Sequence, residues 1–192
     1  MTNPWVDDLF QLKLFAVFVG GRHARANIEL HDIQFVVARS IEDTVPVLRQ
    51  RWWGEPSSLH IDGYADLSVV DGTCITPVPQ PKDAPMSGLA LYFVNTGGYQ
   101  EGVFGEMHSY SFHVGRRHDK DKRAMWAEAK RYAHQFSAHH KDPFERVDDV
   151  VCVDEVIKDQ RYTLAYDHLP GSKQGPYIVA KYIKLKQPED RA

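Results

Sequence analysis

The chain has 192 residues, of which 43% are hydrophobic and 26% charged, and its formal net charge is −3. This composition is ordinary for a soluble globular protein. The negative balance, with no uninterrupted run of Lys and Arg, argues against a nucleic-acid partner, because affinity for phosphate backbones depends on clustered cations.

The chain also lacks the signals of a membrane or secreted protein. Its longest apolar run, Leu14–Val19, is far shorter than the ~20 residues that a spanning helix needs. Residues 1–13 show no basic start followed by an apolar stretch and a cleavage site. Cys74 and Cys152 stand outside any C-x-x-C motif, which is typical of a reduced protein. We therefore expect a cytoplasmic protein without a membrane partner.

The first half of the chain alternates short apolar runs with one amphipathic segment. Periodicity predicts two strands, a helix and three short strands in chain order: Leu14–Val19, Ile33–Ala38, a helix from Ile41 to Trp52, Leu59–Asp62, Leu67–Asp71 and Cys74–Val78. A proline-rich linker, residues 81–88, follows and is expected to be extended.

The second half repeats this order. The pattern predicts strands Leu91–Thr96 and Tyr110–Gly115, then a helix with Met125, Ala129, Tyr132 and Phe136 on one face. Further strands are predicted at Phe144–Arg146, Val150–Asp154, Tyr162–Tyr166 and Tyr177–Leu185.

The two halves are also similar in sequence. Shifting the chain by 77 residues superimposes Leu14–Arg39 on Leu91–Arg116 without a gap. The identical pairs are Leu14/Leu91, Val17/Val94, Gly20/Gly97, Gly21/Gly98, Glu29/Glu106, His31/His108, Phe35/Phe112, Val37/Val114 and Arg39/Arg116. Further on, Val70-Asp71 aligns with Val153-Asp154 after about six extra residues in the second copy. This self-similarity indicates a duplicated module.

The predicted fold is α+β, built from two tandem ββαββ modules of grasp or roll type. The first module spans residues 14–80 and the second residues 89–185. Because half of this chain makes a small core, we expect the modules to pack together about a pseudo-twofold axis.

A Glu-x-His pair begins the second strand of each module. Alternation places residues 29, 31, 33, 35, 37 and 39 on one face of the first copy, and every identity between residues 29 and 39 falls on it. We interpret the middle of this face as core. Glu29 and His31 would then lie half-buried beside the loop that starts at Gly20-Gly21.

Three interpretations of these pairs remain open. The glutamate could orient the histidine and pin the loop. The pairs Glu29/His31 and Glu106/His108 could bind a divalent metal, at one shared site or two. The histidine with its glutamate could instead serve a catalytic or ligand pocket. The candidate ligand-binding residues are Gly20, Gly21, Glu29, His31, Gly97, Gly98, Glu106, His108, His60 and Asp62.

His60 and Asp62 share a face of one short strand. A hydrogen bond at the strand end is the simpler interpretation of this pair, and a ligand pair is the alternative. The second half has Phe144-Glu145-Arg146 near the aligned position. We therefore expect that the pair is not duplicated.

The stretch LFAVFVGGRHARANIELHDIQFVVARSIEDTVPVLRQRWWGEPSSLHIDGYADLSVVDG resembles the bacterial family known as domain of unknown function 1543. The shared pattern is Gly20-Gly21, Glu29, His31-Asp32, a helix ending in tryptophan, His60-Ile61-Asp62 and Val70-Asp71-Gly72. The resemblance covers residues 14–78 and implies two copies in tandem. It implies no activity.

A second resemblance concerns the order of elements alone. From His31 and again from His108, a strand, a helix and three strands follow, as in the paired modules of vicinal-oxygen-chelate enzymes such as glyoxalase. Here, however, the repeated unit begins one strand earlier and its glutamate precedes the histidine. This is an analogy of fold.

Three functions stay open on sequence alone. The first is a cytoplasmic module that binds a small molecule or a protein. The second is a metal-dependent enzyme on small metabolites that uses the Glu-x-His pairs. The third is an oligomerisation module, a homodimer in which the edge strand Tyr177–Leu185 pairs with a second copy.

Overall fold

The protein forms antiparallel sheets with few helices, which confirms the predicted α+β class. The structure, a computed structural model, describes residues 12–80, 87–99, 101–118, 124, 126–127 and 146–185. The chain divides into two compact units: a first unit of Met1–Pro79 with Gln160–Ala192, and a second unit of Gln80–Asp159.

The described part of the first unit contains seven strands in two sheets. A four-stranded sheet has the order β10-β3-β1-β2, and a three-stranded sheet has the order β4-β5-β9. The strands are β1 (Lys13–Gly21), β2 (Leu30–Ala38), β3 (His60–Asp66), β4 (Val69–Val70), β5 (Thr73–Pro79), β9 (Tyr162–His168) and β10 (Tyr177–Lys184). Helix α1 (Val45–Arg51) follows a 3-10 turn at Glu42–Thr44, and a second 3-10 turn spans Pro56–Ser58.

The last two strands belong to the first unit, although the sequence pattern assigned them to a second module at residues 89–185. Strand β9 pairs with β5 along its whole length, and β10 pairs with β3. Backbone donors and acceptors of a buried strand need partners. The C-terminal strands supply them to β5 and β3, and the second unit ends at Asp159.

The main core of the first unit lies between the four-stranded sheet and helix α1. It contains Phe15, Val17, Val19, Val36, Ala38, Leu48, Trp52, Leu59, Ile61 and Leu185. The β2 residues in this core, Val36 and Ala38, point away from the face of His31. The middle of the Glu29–Arg39 face, which the sequence predicted as core, is buried at Phe35, whereas the core beside helix α1 takes its β2 residues from the opposite face.

The second unit is built on the sheet β7-β6-β8. Its strands are β6 (Leu89–Gly98), β7 (Met107–Arg116) and β8 (Arg146–Cys152). Val94 of β6 packs with Trp126 and Val150. Ala124, Trp126 and Ala127 are helical, whereas Met125, Ala129, Tyr132 and Phe136, on which the predicted helix rests, lie outside the described residues.

Strand β8 ends earlier than the predicted Val150–Asp154. A short helix α2 (Val153–Val156) starts directly after Cys152. Its Asp154 carboxylate accepts a hydrogen bond of 2.9 Å from the Leu91 amide and one of 2.5 Å from Arg117 Nη2. Asp154 thus forms a buried ion pair from the first turn of this helix.

Within the described ranges, no helix is both long enough and apolar enough to cross a membrane.

The surroundings of Cys152 predict that its thiol is alkylated slowly. Burial, together with the nearby Asp154 carboxylate, raises the pKa of Cys152 from 9.0 to about 11. Since the thiolate is the reactive form, alkylation by iodoacetamide at about pH 8 should run about 100-fold slower than for a thiol of unshifted pKa. The rate should keep rising with pH up to about 11.

The experiment uses a Cys74→Ser variant, so that Cys152 is the only thiol, and the same variant in urea is the control. A folded-state rate equal to the rate in urea would contradict the prediction.

Candidate functional site

Gly20 lies in the middle of a row of residues that crosses the four-stranded sheet. It pairs with His31 of β2 on one side and with His60 of β3 on the other. Lys184 of β10 pairs with His60 in turn. Opposed residues of an antiparallel sheet project from the same face. The two histidines therefore flank a position that has no side chain.

Two carboxylates complete a cluster with these histidines. His60 Nε2 lies 3.3 Å from Glu29 Oε1 and 3.4 Å from Asp62 Oδ1. His31 Nε2 lies 3.3 Å from Asp62 Oδ2 and 3.7 Å from Glu29 Oε2. Each carboxylate therefore offers one oxygen to each imidazole. We call Glu29, His31, His60 and Asp62 the four-donor site.

The tautomer of His60 is fixed from outside the cluster. Its Nδ1 lies 2.9 Å from the carbonyl oxygen of Ser58, which can only accept, so Nδ1 carries the proton. In the neutral ring, Nε2 then has a lone pair directed into the site. Neither carboxylate contact of Nε2 forms a hydrogen bond among the described residues. One oxygen of each carboxylate nevertheless lies within 3.4 Å of the ring nitrogen.

The four side chains of the site differ in their exposure to solvent. The exposed fraction of the side chain is 44% for Glu29, 40% for His31, 26% for Asp62 and 7% for His60. Asp62 Oδ2 is itself buried, and no described residue donates a hydrogen bond to it. A buried carboxylate oxygen without a donor is costly unless a cation balances it.

Aromatic rings fix the orientation of both imidazoles. Phe18 stacks on His31 with a centroid distance of 5.3 Å and an interplanar angle of 4°. Tyr182 packs on His60 with a centroid distance of 4.8 Å. The histidine side chains are therefore held before any ligand arrives.

The Gly20-Gly21 pair has two different roles. A Cβ on Gly20 would lie 2.7 Å from both Asp62 Oδ2 and His60 Nε2, so Gly20 is the floor of the site. A Cβ on Gly21 would lie 2.7 Å from Trp52 Cζ2 and 2.9 Å from Ser58 Oγ. The second glycine therefore makes room for the core tryptophan and for the turn that orients His60.

The nitrogen–oxygen distances of the cluster can be compared with the ligand spacing of a tetrahedral metal site. Ligands bound to zinc at ~2.0–2.2 Å stand about 3.3–3.6 Å from one another. The contacts of 3.3, 3.3, 3.4 and 3.7 Å are each close to this range, but the two histidines contact different oxygens of each carboxylate, so the four residues do not present one atom each at this mutual spacing. Two imidazoles and two carboxylates suit a borderline divalent ion.

The site opens into a cleft of about 440 Å³ within the first unit. The cleft is lined by Arg22, Glu29, Glu55, Ser57, Ser58, Leu59, His60, Asp62, Tyr182, Lys184 and Leu185. A small molecule in this cleft would contact the four-donor site directly.

The second unit has a related cluster at the equivalent register. Gly97 pairs with His108 and with Arg146, as Gly20 pairs with His31 and His60. The irregularity in the pairing falls between Asn95 and Thr96, which is 77 residues after Phe18 and Val19. Arg146 therefore holds the register position of His60, and Asp148 that of Asp62.

Glu106, His108 and Asp148 each bring one potential ligand atom within 4.8 Å of the others. His108 Nδ1 lies 3.4 Å from Asp148 Oδ2 and 3.2 Å from Asn95 Oδ1. Asp148 Oδ2 is buried and accepts no hydrogen bond from the described residues. A Cβ on Gly97 would overlap Asp148 Oδ2 and lie 2.6 Å from Glu106 Oε1.

The structure thus brings both sequence-predicted Glu-x-His pairs into clusters, each completed within its own unit. It also joins His60 and Asp62 to Glu29 and His31, whereas the sequence favoured a simple strand-end hydrogen bond. Asp148 was missed. Equivalent positions in β1 and β6 are 77 residues apart, whereas those in β3 and β8 are 86 apart. The second copy therefore has nine extra residues before β8, and the sequence comparison assumed an insertion of only about six.

Two comparisons relate this chain to known proteins. Residues 26–76 match the family described as Domain of Unknown Function (DUF1543), and this segment contains all four donors. The crystal structure of a protein Il1583 from Idiomarina loihiensis is 32% identical, with a TM-score of 0.63. The match covers 92% of this chain and 99% of that one. No curated protein matches. Residues 26–76 of the chain thus carry a segment of the DUF1543 family, and nearly the whole chain is similar to the Idiomarina protein.

Proposed function

We propose that the first unit binds one divalent transition-metal ion, best zinc, through Glu29, His31, His60 and Asp62, and presents it to a small molecule in the adjoining cleft. The observation that carries this proposal is the orientation of His60. Its Nδ1–H is committed to the Ser58 carbonyl, and its Nε2 lies within 3.4 Å of a carboxylate oxygen of both Glu29 and Asp62. A second contact that fixes the tautomer is typical of histidine ligands.

A purely structural role for the cluster is the competing interpretation. A doubly protonated His60 between two carboxylates would pin the sheet without a metal. The metal interpretation is supported by the Ser58 contact, because a neutral ring protonated on Nδ1 offers Nε2 as a ligand. The buried Asp62 Oδ2, which accepts no hydrogen bond from the described residues, also favours a cation in the site.

A metal here would serve ligand binding in a defined way. The ion would polarise a carbonyl, carboxylate or phosphoryl oxygen placed in the cleft. Glu29 and His31 are partly exposed, so an incoming ligand could reach an ion that they share.

The internal similarity suggests to us that the chain arose by duplication of a metal-binding module. The β1-β2-β3 part of the first unit and the β6-β7-β8 part of the second are copies of one module, in which Glu, His and Asp recur at equivalent register and Arg146 stands at the position of the inner histidine. The identical pairing of β1 with β2 and of β6 with β7 at an offset of 77 supports this. The second copy lacks one donor, so it should bind metal more weakly.

The first prediction concerns zinc affinity. Untagged protein should bind close to one zinc ion per chain, and Asp62→Asn should weaken binding at least about 100-fold, since even supporting contacts of a metal site are worth about 10–100-fold. Plasma mass spectrometry after dialysis and competition with a chromophoric chelator measure both.

The matched control is His168→Gln, which alters an exposed histidine in β9. Zinc should also raise the melting temperature of the wild type and the control but not of Asp62→Asn. A wild type that takes up no zinc, or an Asp62→Asn protein that binds it equally well, would refute the metal site.

The second prediction concerns the floor of the site. Gly20→Ala should lower zinc affinity by about tenfold or more, because the added methyl group displaces His60 and Asp62 and ligands out of position bind poorly. Gly175→Ala is the control, since a Cβ there meets nothing within 4 Å. Equal zinc affinity of the two variants, both folded by circular dichroism, would show that Gly20 does not shape the site.

The third prediction concerns Arg146. Arg146→His restores the fourth donor at the register position of His60, so tightly bound zinc should rise from one to two ions per chain. The reciprocal His60→Arg change should remove the tightly bound ion from the first unit. If Arg146→His leaves the stoichiometry at one, the register equivalence does not extend to metal binding.

A further inference from the structure

The charge of the cleft depends on the proposed ion. Three carboxylates line it, from Glu29, Glu55 and Asp62, against two cations, Arg22 and Lys184. With neutral histidines the lining has a net formal charge of one negative unit, and a bound divalent ion changes it to one positive unit. An anion would be repelled from the empty cleft and attracted to the loaded one.

Arg22 is fixed by the same turn that orients His60. Its amide donates to Ser58 Oγ at 2.7 Å, and its carbonyl accepts from the Glu55 amide at 2.7 Å. Ser58 in turn provides the carbonyl for His60 Nδ1. The backbone of Arg22 is thus tied to the metal side of the cleft. Among the described residues, its guanidinium forms no ion pair.

Lys184 approaches the site from the opposite edge. It is the cross-strand partner of His60, so both side chains project from the same face of the sheet. No carboxylate in the described part of the chain pairs with its ammonium group. Within the described residues, Lys184 and Arg22 therefore line the cleft without an ion-pair partner. The same cleft is lined by Glu29, His60 and Asp62 of the four-donor site.

We infer that the ligand of this cleft is a small molecule with a carboxylate or phosphate group, which Arg22 and Lys184 bind while one of its oxygens contacts the metal. This inference rests on the proposed metal site. Arg22 supplies planar paired N–H donors for an oxyanion, and Lys184 supplies a point charge. Tyr182, which packs on His60, lines the same space.

The test is calorimetric titration of zinc-loaded protein, dialysed free of excess zinc, with two probes: methylphosphonate and acetate. The wild type should bind at least one probe, and the metal-free protein should bind it at least about tenfold more weakly, because the lining changes sign. Stronger binding of methylphosphonate would assign a phosphate ligand, and stronger binding of acetate a carboxylate.

Arg22→Gln and Lys184→Gln should each lower the affinity for the preferred probe by about tenfold, which is the loss expected for a charge-assisted hydrogen bond. Arg25→Gln and Lys181→Gln are the controls, since both residues are exposed and neither lines the cleft. Zinc content is measured separately in every variant. If the wild type holds zinc but binds neither probe, or if both cleft variants bind like their controls, the inference fails while the metal site stands.

Discussion

The absence of a side chain at Gly20 is the constraint on which the site depends. Gly20 separates the strands of His31 and His60, and those strands stand about 10 Å apart across it. Without a Cβ between them, both imidazoles and the carboxylates of Glu29 and Asp62 can meet above the sheet. A larger residue at position 20 could still pair in the sheet, but its side chain would occupy the space between His60 and Asp62.

The turn at Pro56–Ser58 adds the second requirement. It fixes the proton of His60 through the Ser58 carbonyl and ties the backbone of Arg22 beside it. One short segment thus determines the ligand atom of the inner histidine and the position of a cation on the cleft. The C-terminal strand contributes Tyr182 and Lys184 from the other side, so residues distant in sequence complete a single small site.

Local sequence patterns predicted many of the strands and both clusters. The pairing of strands distant in sequence could not be predicted from them. The strands near Leu14, Ile33, Leu91 and Tyr110 follow from apolar runs and alternation, and the repeated Gly-Gly and Glu-x-His mark both clusters. The pairing of β9 and β10 with β5 and β3 leaves no local signal, because it depends on which open strand edge is available. The recurring face of β2 was predicted to be core in its middle and to carry Glu29 and His31 at its entry, and Phe35 is indeed buried, but the sequence did not reveal that Val36 and Ala38 of the other face line the main core. Asp148 was hidden by the longer insertion before β8, which only the register of paired strands reveals.

The most direct test of the account is anomalous diffraction from crystals of zinc-loaded protein, with data on both sides of the zinc absorption edge. The account predicts one strong anomalous peak above Gly20, about 2.0–2.2 Å from His60 Nε2 and in contact with His31, Glu29 and Asp62. Zinc found elsewhere with this position empty, or His60 Nε2 donating a hydrogen bond to a carboxylate in a zinc-free cluster, would contradict it.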